Sequence, residues 1–316
     1  MRRKIVTLAA ILASLILCAI NDFSQATASR EIAVTIDDLP LNGPDTSLSR
    51  MRTMTGKLVD SMRRNKVPVV GFVNESRLFN AGEIDERIAL LKMWVDDGVE
   101  LGNHTFSHLG FKGTPIAQYE DDFVRGDTIT QTLMKSAGRR ERFYRHPFLQ
   151  MGDSFELERA FEDFISARGY RIAPVTIDSL DWLILSAYRQ AQDRHDADMM
   201  RRVSDEYLRY VDVKLAYCEK TSETLFARPI KHILLLHDNE LNADNFDRLI
   251  EVIRRRGYSF ITVEKALRDP SYQFPPKYVP TSDWLTSWAE NKGIPFDPPQ
   301  PADFILQIYN QATKPK

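Results

Sequence analysis

The chain has 316 residues, 43% of them hydrophobic and 27% charged, with 14 Gly and 16 Pro; a collagen-like, low-complexity or wholly disordered chain is excluded. Forty-two Lys and Arg against 44 Asp and Glu leave a net charge of −2, which gives no basic footprint for nucleic acid. Two Cys cannot build a disulfide framework, and the length suits one barrel-class domain, or two small ones, with a sizeable core.

Met1-Arg2-Arg3-Lys4 is a basic start, Ile5 to Ile20 carries no charge, and Ala26-Thr27-Ala28 has the A-x-A form. This is the layout of a secretory signal peptide over 1–28; the apolar run falls short of the roughly 20 residues a spanning helix needs. The expectation is an exported protein, periplasmic or secreted, with no stable membrane anchor after cleavage. Cleavage also removes Cys18 and leaves Cys218, read as a small buried apolar residue.

The mature chain reads as alternating strands and helices. Glu31–Ile36 is β-branched and apolar, a strand. Arg50–Asn65 is an amphipathic helix capped by Ser49, Val67–Val73 a strand, and Ile84–Asp97 a helix closed by Gly98. Val99–Leu101 is a short strand; Thr114-Pro115 opens a helix running to about Ser136. Arg142–Arg145 is a strand, Asp153–Arg168 a helix, Arg171–Ile177 a strand, His232–Leu236 a strongly apolar strand, Asn242–Arg256 a helix and Tyr258–Ile261 the last strand. Repeated strand-then-helix order predicts an α/β fold, a distorted (β/α) barrel of about seven parallel strands. Two stretches break the rhythm. Ile184–Arg228 is a polar helical insertion whose Val203, Tyr207, Val211 and Leu215 recur every four residues, so one face packs on the barrel; it reads as a structural helix pair or as a lid. From Pro270 the chain is Pro-rich, and its Trp284 and Trp288 read as core rather than sugar-stacking residues. The expected division is 1–28 signal peptide, 29–269 barrel with insertion 184–228, and 270–316 extension packing on the barrel.

Asp37-Asp38 follow the first strand, and His104-Thr-Phe-Ser-His108 follows the third. Two His at i and i+4 share one face of a helical turn and grip one metal. In a parallel barrel the strand C-terminal ends open onto one rim, which brings the carboxylate pair to the His pair. Two His and one Asp leave a coordination position open, the pattern of a catalytic rather than a structural zinc site. Arg145, Asp181-Trp182 and His237 also fall at strand ends, completing an inventory of base, acid and charge-orienting groups. His146, His195 and His232 stand outside it, as structural or surface residues.

The ordered motifs resemble the polysaccharide deacetylases of carbohydrate esterase family 4, the NodB homology domain. Thr35-Ile-Asp37-Asp38 is similar to the first family motif, His104-Thr-Phe-Ser-His108 to the second, Arg145-His-Pro147-Phe148 to the third, Asp178-Ser-Leu-Asp181-Trp182 to the fourth and Leu235-Leu236-His237 to the fifth. The resemblance spans residues 31 to about 268 and implies a distorted (β/α) barrel. It also implies roles. Asp37 is the base, oriented by Arg145; Asp38, His104 and His108 hold a divalent metal; His237 is the acid, tuned by Asp181. Pro147, Phe148, Trp182 and Leu235 border the substrate, with the Phe148 N–H on the oxyanion. Two departures stand out: Leu39 before Pro40 replaces the family's Gly, and Phe148 replaces a Tyr.

The implied activity is a metal-dependent hydrolase that releases acetate from an acetylated oligo- or polysaccharide, most simply the N-acetyl group of N-acetylglucosamine-type sugars. Zn²⁺ is the first choice of metal, with Co²⁺, Ni²⁺ or Mn²⁺ also suited to the ligand set. Three other readings compete: hydrolysis of a small-molecule amide, a non-catalytic glycan-binding relative, and an iron(II) oxygenase. The last normally carries its ligands on an all-β fold.

Overall fold

The computed structural model describes residues 30–43, 47–275 and 283–313; the signal peptide read at 1–28 and parts of the C-terminal extension lie outside them. Its centre is β1, Arg30–Leu39, buried from Ile32 onward. A strand covered on both faces reads as a near-continuous apolar run, and the polar exceptions are Thr35, Asp37 and Asp38, at the end that builds the site. β1 pairs in parallel with β2 (Val69–Val73) and with β7 (His232–His237). Outward from β2 follow β3 (Glu100–Asn103), β4 (Phe143–Tyr144) and β5 (Arg171–Ile172); outward from β7 lies β6 (Ile177–Asp178). The last strand expected, β8 (Tyr258–Phe260), pairs only with Arg30, Glu31 and Ile32 of β1.

The two outermost strands, β5 and β6, are consecutive in the chain. The single strand expected over 171–177 therefore splits, because Pro174 has no N–H with which to continue a ladder. Ala173 donates to the Tyr144 carbonyl at 2.8 Å, on the β4 side, while Thr176 donates to the Ile233 carbonyl at 3.0 Å, on the β7 side. The sheet thus curls into a half-barrel whose two edge strands are joined by a short segment that pairs with neither along its whole length: a distorted (β/α) barrel.

Helices cover the outside. α1 (Leu48–Asn65) buries Met51, Met54, Leu58 and Met62, and α2 (Ile84–Asp96) buries Leu90, Leu91, Trp94 and Val95. The helix expected from Thr114 to Ser136 is two, α3 (Ile116–Arg125) and α4 (Thr128–Ser136), broken at Gly126. α5 is Phe155–Ser166. The insertion forms α6 (Asp181–Asp193) and α7 (Ala197–Phe226), and Val203, Tyr207, Val211 and Leu215 are all fully buried against the barrel. α8 (Glu240–Arg255) packs beside α1, and α9 (Val263–Ala266) follows β8.

The extension lies on the barrel as α10 (Trp284–Asn291) and α11 (Asp303–Ala312). Trp284 N–H bonds the Val175 carbonyl at 2.8 Å, and Trp284 and Trp288 pack edge to face with ring centroids 5.6 Å apart, both buried. Lys292 Nζ reaches the Leu225 carbonyl at 2.6 Å, and Ala302 N–H the Glu206 carboxylate at 2.8 Å.

Candidate active site

Asp37 is the register partner of His237 on the neighbouring strand, so a carboxylate and an imidazole stand side by side at the strand ends. Asp38, the next residue, takes a left-handed backbone, φ 67°, which turns its side chain toward β3. Six of the nine non-glycine residues with positive φ among those described lie on this rim: Asp38, Thr105, His108, Phe148, Leu149 and Leu180. Such conformations cost free energy and persist only where the surroundings impose them, typically at functional sites.

His104 and His108 do not share a helical turn. Residues 104–108 form a loop, held by Thr105 N–H on Asn103 Oδ1 (2.8 Å), Phe106 N–H on the Asp122 carbonyl (2.9 Å) and Ser107 N–H on the Asp122 carboxylate (3.0 Å). The helix break at Gly126 permits this: a Cβ there would lie 2.6 Å from the Phe106 nitrogen. The loop delivers the same convergence by another geometry. Asp38 Oδ1 lies 3.3 Å from His108 Nε2 and 3.7 Å from His104 Nε2. Donors on a tetrahedral zinc ion, bonded at about 2.0–2.1 Å, would stand about 3.4 Å apart.

Three further observations fit this trio to a cation. Asp38 Oδ1 is buried with no hydrogen-bond partner. His104 Nδ1 lies 2.8 Å from the Arg145 carbonyl, which fixes the proton there and leaves Nε2 with its lone pair. Burial holds both imidazoles below their usual range, hence neutral. Burial opposes ionisation of Asp38, yet the facing His108 and His104 bring its carboxyl down to about 2.

Asp37 behaves differently. Burial raises its carboxyl to about 6 against the pull of Arg145 and His237. Arg145 is itself 1% exposed, with Nη1 3.3 Å from Asp37, Nε on the Ala173 carbonyl (2.6 Å) and Nη2 on Thr35 Oγ1 (3.1 Å). Across the cleft, His237 Nδ1 pairs with Asp181 Oδ1 at 2.8 Å. Burial disfavours the imidazolium, but Asp181 more than compensates, and the ring is pushed up to about 10. Asp181 also accepts from His237 N–H and Trp182 N–H, both at 2.8 Å, and from the side chains of Asn239 and Asn242.

These groups share a cleft of about 590 Å³, lined by Asp37, Asp38, His104, His108 and His237 and bordered by Phe148, Trp182 and Leu235. Phe148 is 60% exposed and meets His108 edge to face at 4.4 Å; Trp182 is 39% exposed. Pro147 is buried behind this wall and is not among the lining residues. Leu39, the departure beside Asp38, is fully buried and packs over Gly71, where a Cβ would meet Leu39 Cδ2 at 2.7 Å, so its bulk fills the core and not the cleft.

Residues 24–161 match the family model described as polysaccharide deacetylase. Over that stretch the chain is similar to the polysaccharide deacetylase family. The matched part of the chain carries Asp37, Asp38, His104, His108 and Arg145; Asp181 and His237 lie beyond it, and their place at the site is seen in the geometry above. A peptidoglycan-N-acetylglucosamine deacetylase of Bacillus cereus is 26% identical over 166 residues, 52% of this chain and 51% of the relative, so the chain spans about half the length of the curated relative it matches. Among solved structures, a peptidoglycan deacetylase of Bacillus subtilis is similar at 22% identity, covering 76% of this chain and 91% of that one, with a TM-score of 0.46. A family 4 carbohydrate esterase pseudoenzyme of Bacillus anthracis is similar at 16%, covering 76% and 66%, with a TM-score of 0.47.

Several residues at or behind the cleft had no role in the sequence reading. Asn239 and Asn242 clamp Asp181; the N-cap spacing directly after His237 was a local signal for them. His146, set aside there, lines the cleft, with its Nδ1 3.0 Å from the Tyr119 hydroxyl. Asn42 donates to Asp38 Oδ2 at 2.5 Å. Asp283 and Tyr309 reach the cleft from the extension, and no local pattern marks them. The insertion is not a lid: none of residues 184–228 lines the cleft. It supports the site from behind, through Tyr207 Oη donating to Asn242 Oδ1 at 2.7 Å.

Proposed function

We propose that the chain is an exported, metal-dependent hydrolase of carbon–nitrogen bonds that releases acetate from N-acetylglucosamine-type sugars. The observation that supports this best is the pairing, over one cleft, of a three-donor cation site with a buried carboxylate at about 6 and an imidazole at about 10. The likeness of half the chain to a peptidoglycan-N-acetylglucosamine deacetylase points to the same sugar class, and the leader read at 1–28 supports export.

Asp38, His104 and His108 would hold the metal, with Zn²⁺ favoured and Co²⁺, Ni²⁺ or Mn²⁺ also suited. Bound there, a divalent ion lowers the pKa of a water and polarises the acetyl carbonyl. Asp37 accepts the water's proton as the oxygen attacks the acyl carbon; Arg145 keeps its carboxylate aimed, and burial keeps it basic enough to take a proton near neutral pH. The carbon–nitrogen bond then breaks, and His237, with Nδ1 held by Asp181, delivers a proton from Nε2 to the departing amine. Acetate and a free amino sugar result. Trp182 and Leu235 flank the acetyl group.

The test is acetate release from chitin oligomers by chelator-stripped protein, with and without added Zn²⁺. Acetate that appears only with metal is expected. No acetate despite one tightly bound metal per chain would overturn the reaction assigned here.

A further inference from the structure

Aromatic side chains and carboxylates without cation partners, met together in one cleft, are the chemistry that holds a sugar: a ring face takes the pyranose C–H surface and the carboxylates take hydroxyl protons. Both occur at one wall of this cleft, and half of that wall comes from the C-terminal extension. Tyr309 of α11 meets Trp182 of α6 nearly perpendicular, 76°, with centroids 5.8 Å apart. Perpendicular rings form a corner, and both rings line the cleft. Asp178 and Asp283 line the same space. No ion pair within 4 Å among the described residues engages either carboxylate, and the buried Lys214 ammonium acts on both only through its longer-range charge. Asp283 accepts from Thr286 N–H and Thr286 Oγ1, both at 2.9 Å, and Asp178 from Leu180 N–H at 2.9 Å and from Trp182 Nε1–H at 3.5 Å, which leaves each oxygen a second acceptor position.

The corner is held in place. Ile305 of α11 is fully buried, Arg202 of α7 stacks on Phe304 at 4.1 Å, and the Glu206 carboxylate takes the Ala302 N–H just before the helix. The aromatic ring one turn beyond Ile305 therefore presents a fixed surface, with little conformational entropy left to lose on binding.

We infer that Tyr309, set against Trp182, is a specificity-determining residue: it seats the pyranose ring of an N-acetylated sugar beside the reacting acetamide, with Asp178 and Asp283 accepting hydroxyl hydrogen bonds. This rests on the deacetylase reading for the reaction but not for the binding. It assigns the C-terminal extension to substrate recognition, and it predicts that the cleft selects for a sugar and not merely for an acetyl group.

The test uses the full mature chain, the N-acetylglucosamine tetramer and the sugarless ester 4-nitrophenyl acetate. Tyr309→Ala and Tyr309→Leu are expected to raise KM for the tetramer about tenfold, the equivalent of about 1.4 kcal/mol, with kcat within twofold. Turnover of the ester should not change. Leu keeps an apolar contact on Trp182 without a flat face, and Tyr309→Phe, which restores the face, should return KM to within twofold of wild type. Calorimetric binding of the tetramer to metal-free protein should show the same loss and rescue. Unchanged KM and Kd in Tyr309→Ala, or equal losses on tetramer and ester, would overturn the inference. Wild-type protein that binds the tetramer but yields no acetate with Zn²⁺ would overturn the reaction instead, and the corner would then stand or fall on the Kd of Tyr309→Ala.

Discussion

On the β1–β3 side of the cleft, Asp38 Oδ1 is buried without a partner and two neutral imidazoles turn their Nε2 atoms toward it. On the β7–α6 side, both oxygens of Asp181 are taken, by two backbone N–H groups, two Asn side chains and His237. One half of the site has donors left over for a cation; the other is complete within the protein. An unsatisfied buried carboxylate costs free energy that a bound cation would return, whereas a fully bonded one is already part of what holds the fold. Substitutions on the first side should therefore act on metal and rate, and substitutions on the second on rate and stability together.

The sharpest break is His104→Asn. An Asn amide can still donate to the Arg145 carbonyl, but it carries nothing at the Nε2 position. Bound Zn²⁺, read by atomic emission, should fall from about one per chain to none, and acetate release by more than about 10³-fold, the scale of several kcal/mol of charge stabilisation. The urea midpoint of metal-free protein should barely move. Retained metal would remove His104 from the trio and end the contrast. A smaller effect on rate, but a larger one on stability, is expected from Asp181→Asn. The metal content should stay, kcat should fall about 10²-fold as His237 loses its charge partner, and unfolding free energy should drop by about 3–5 kcal/mol because buried donors then face an amide nitrogen. Lost rate with full stability would show that the Asp181 network only orients the acid.

Both sides were foretold by one rule in the sequence, whereas the local conformations that complete them were not. Asp37-Asp38 and the His104–His108 pair each sit in a few residues at the end of an apolar strand, so strand-then-helix order alone brings them to one rim. His237 and Asp181 follow the same rule. The local conformations did not: the His pair converges through a loop that needs Gly126 to let Phe106 approach, and the strand at 171–177 splits at Pro174, a break that depends on which neighbours its two halves find. Tyr309 and Asp283 are legible only in three dimensions. They lie 127 and 102 residues along the chain from Trp182 and Asp181 respectively, and the contact that matters is made by α11 folding back over α6.

The least disruptive test separates the two ends of one strand. β7 begins at His232 and ends at His237, and their surroundings are opposite. His237 faces a carboxylate and is pushed up; His232 is buried between Thr176 Oγ1 (3.1 Å) and Ser222 Oγ (3.3 Å), with no acid paired to it, and burial brings it down to about 4. An imidazole lowered in the folded state is protonated first in the unfolded chain, whose His titrates near 6.5. Its contribution is therefore intact above that pH and is lost as pH falls from about 6.5 to 4. Between pH 7 and pH 5, wild-type protein should lose about 2 kcal/mol more stability than His232→Gln, measured by urea unfolding of metal-free protein. Catalysis at pH 7 should be nearly unchanged in that variant, since His232 is remote from the cleft. Equal acid sensitivity in the two proteins would mean that the protonated ring finds a partner within the fold, and that the asymmetry along β7 is smaller than its contacts imply.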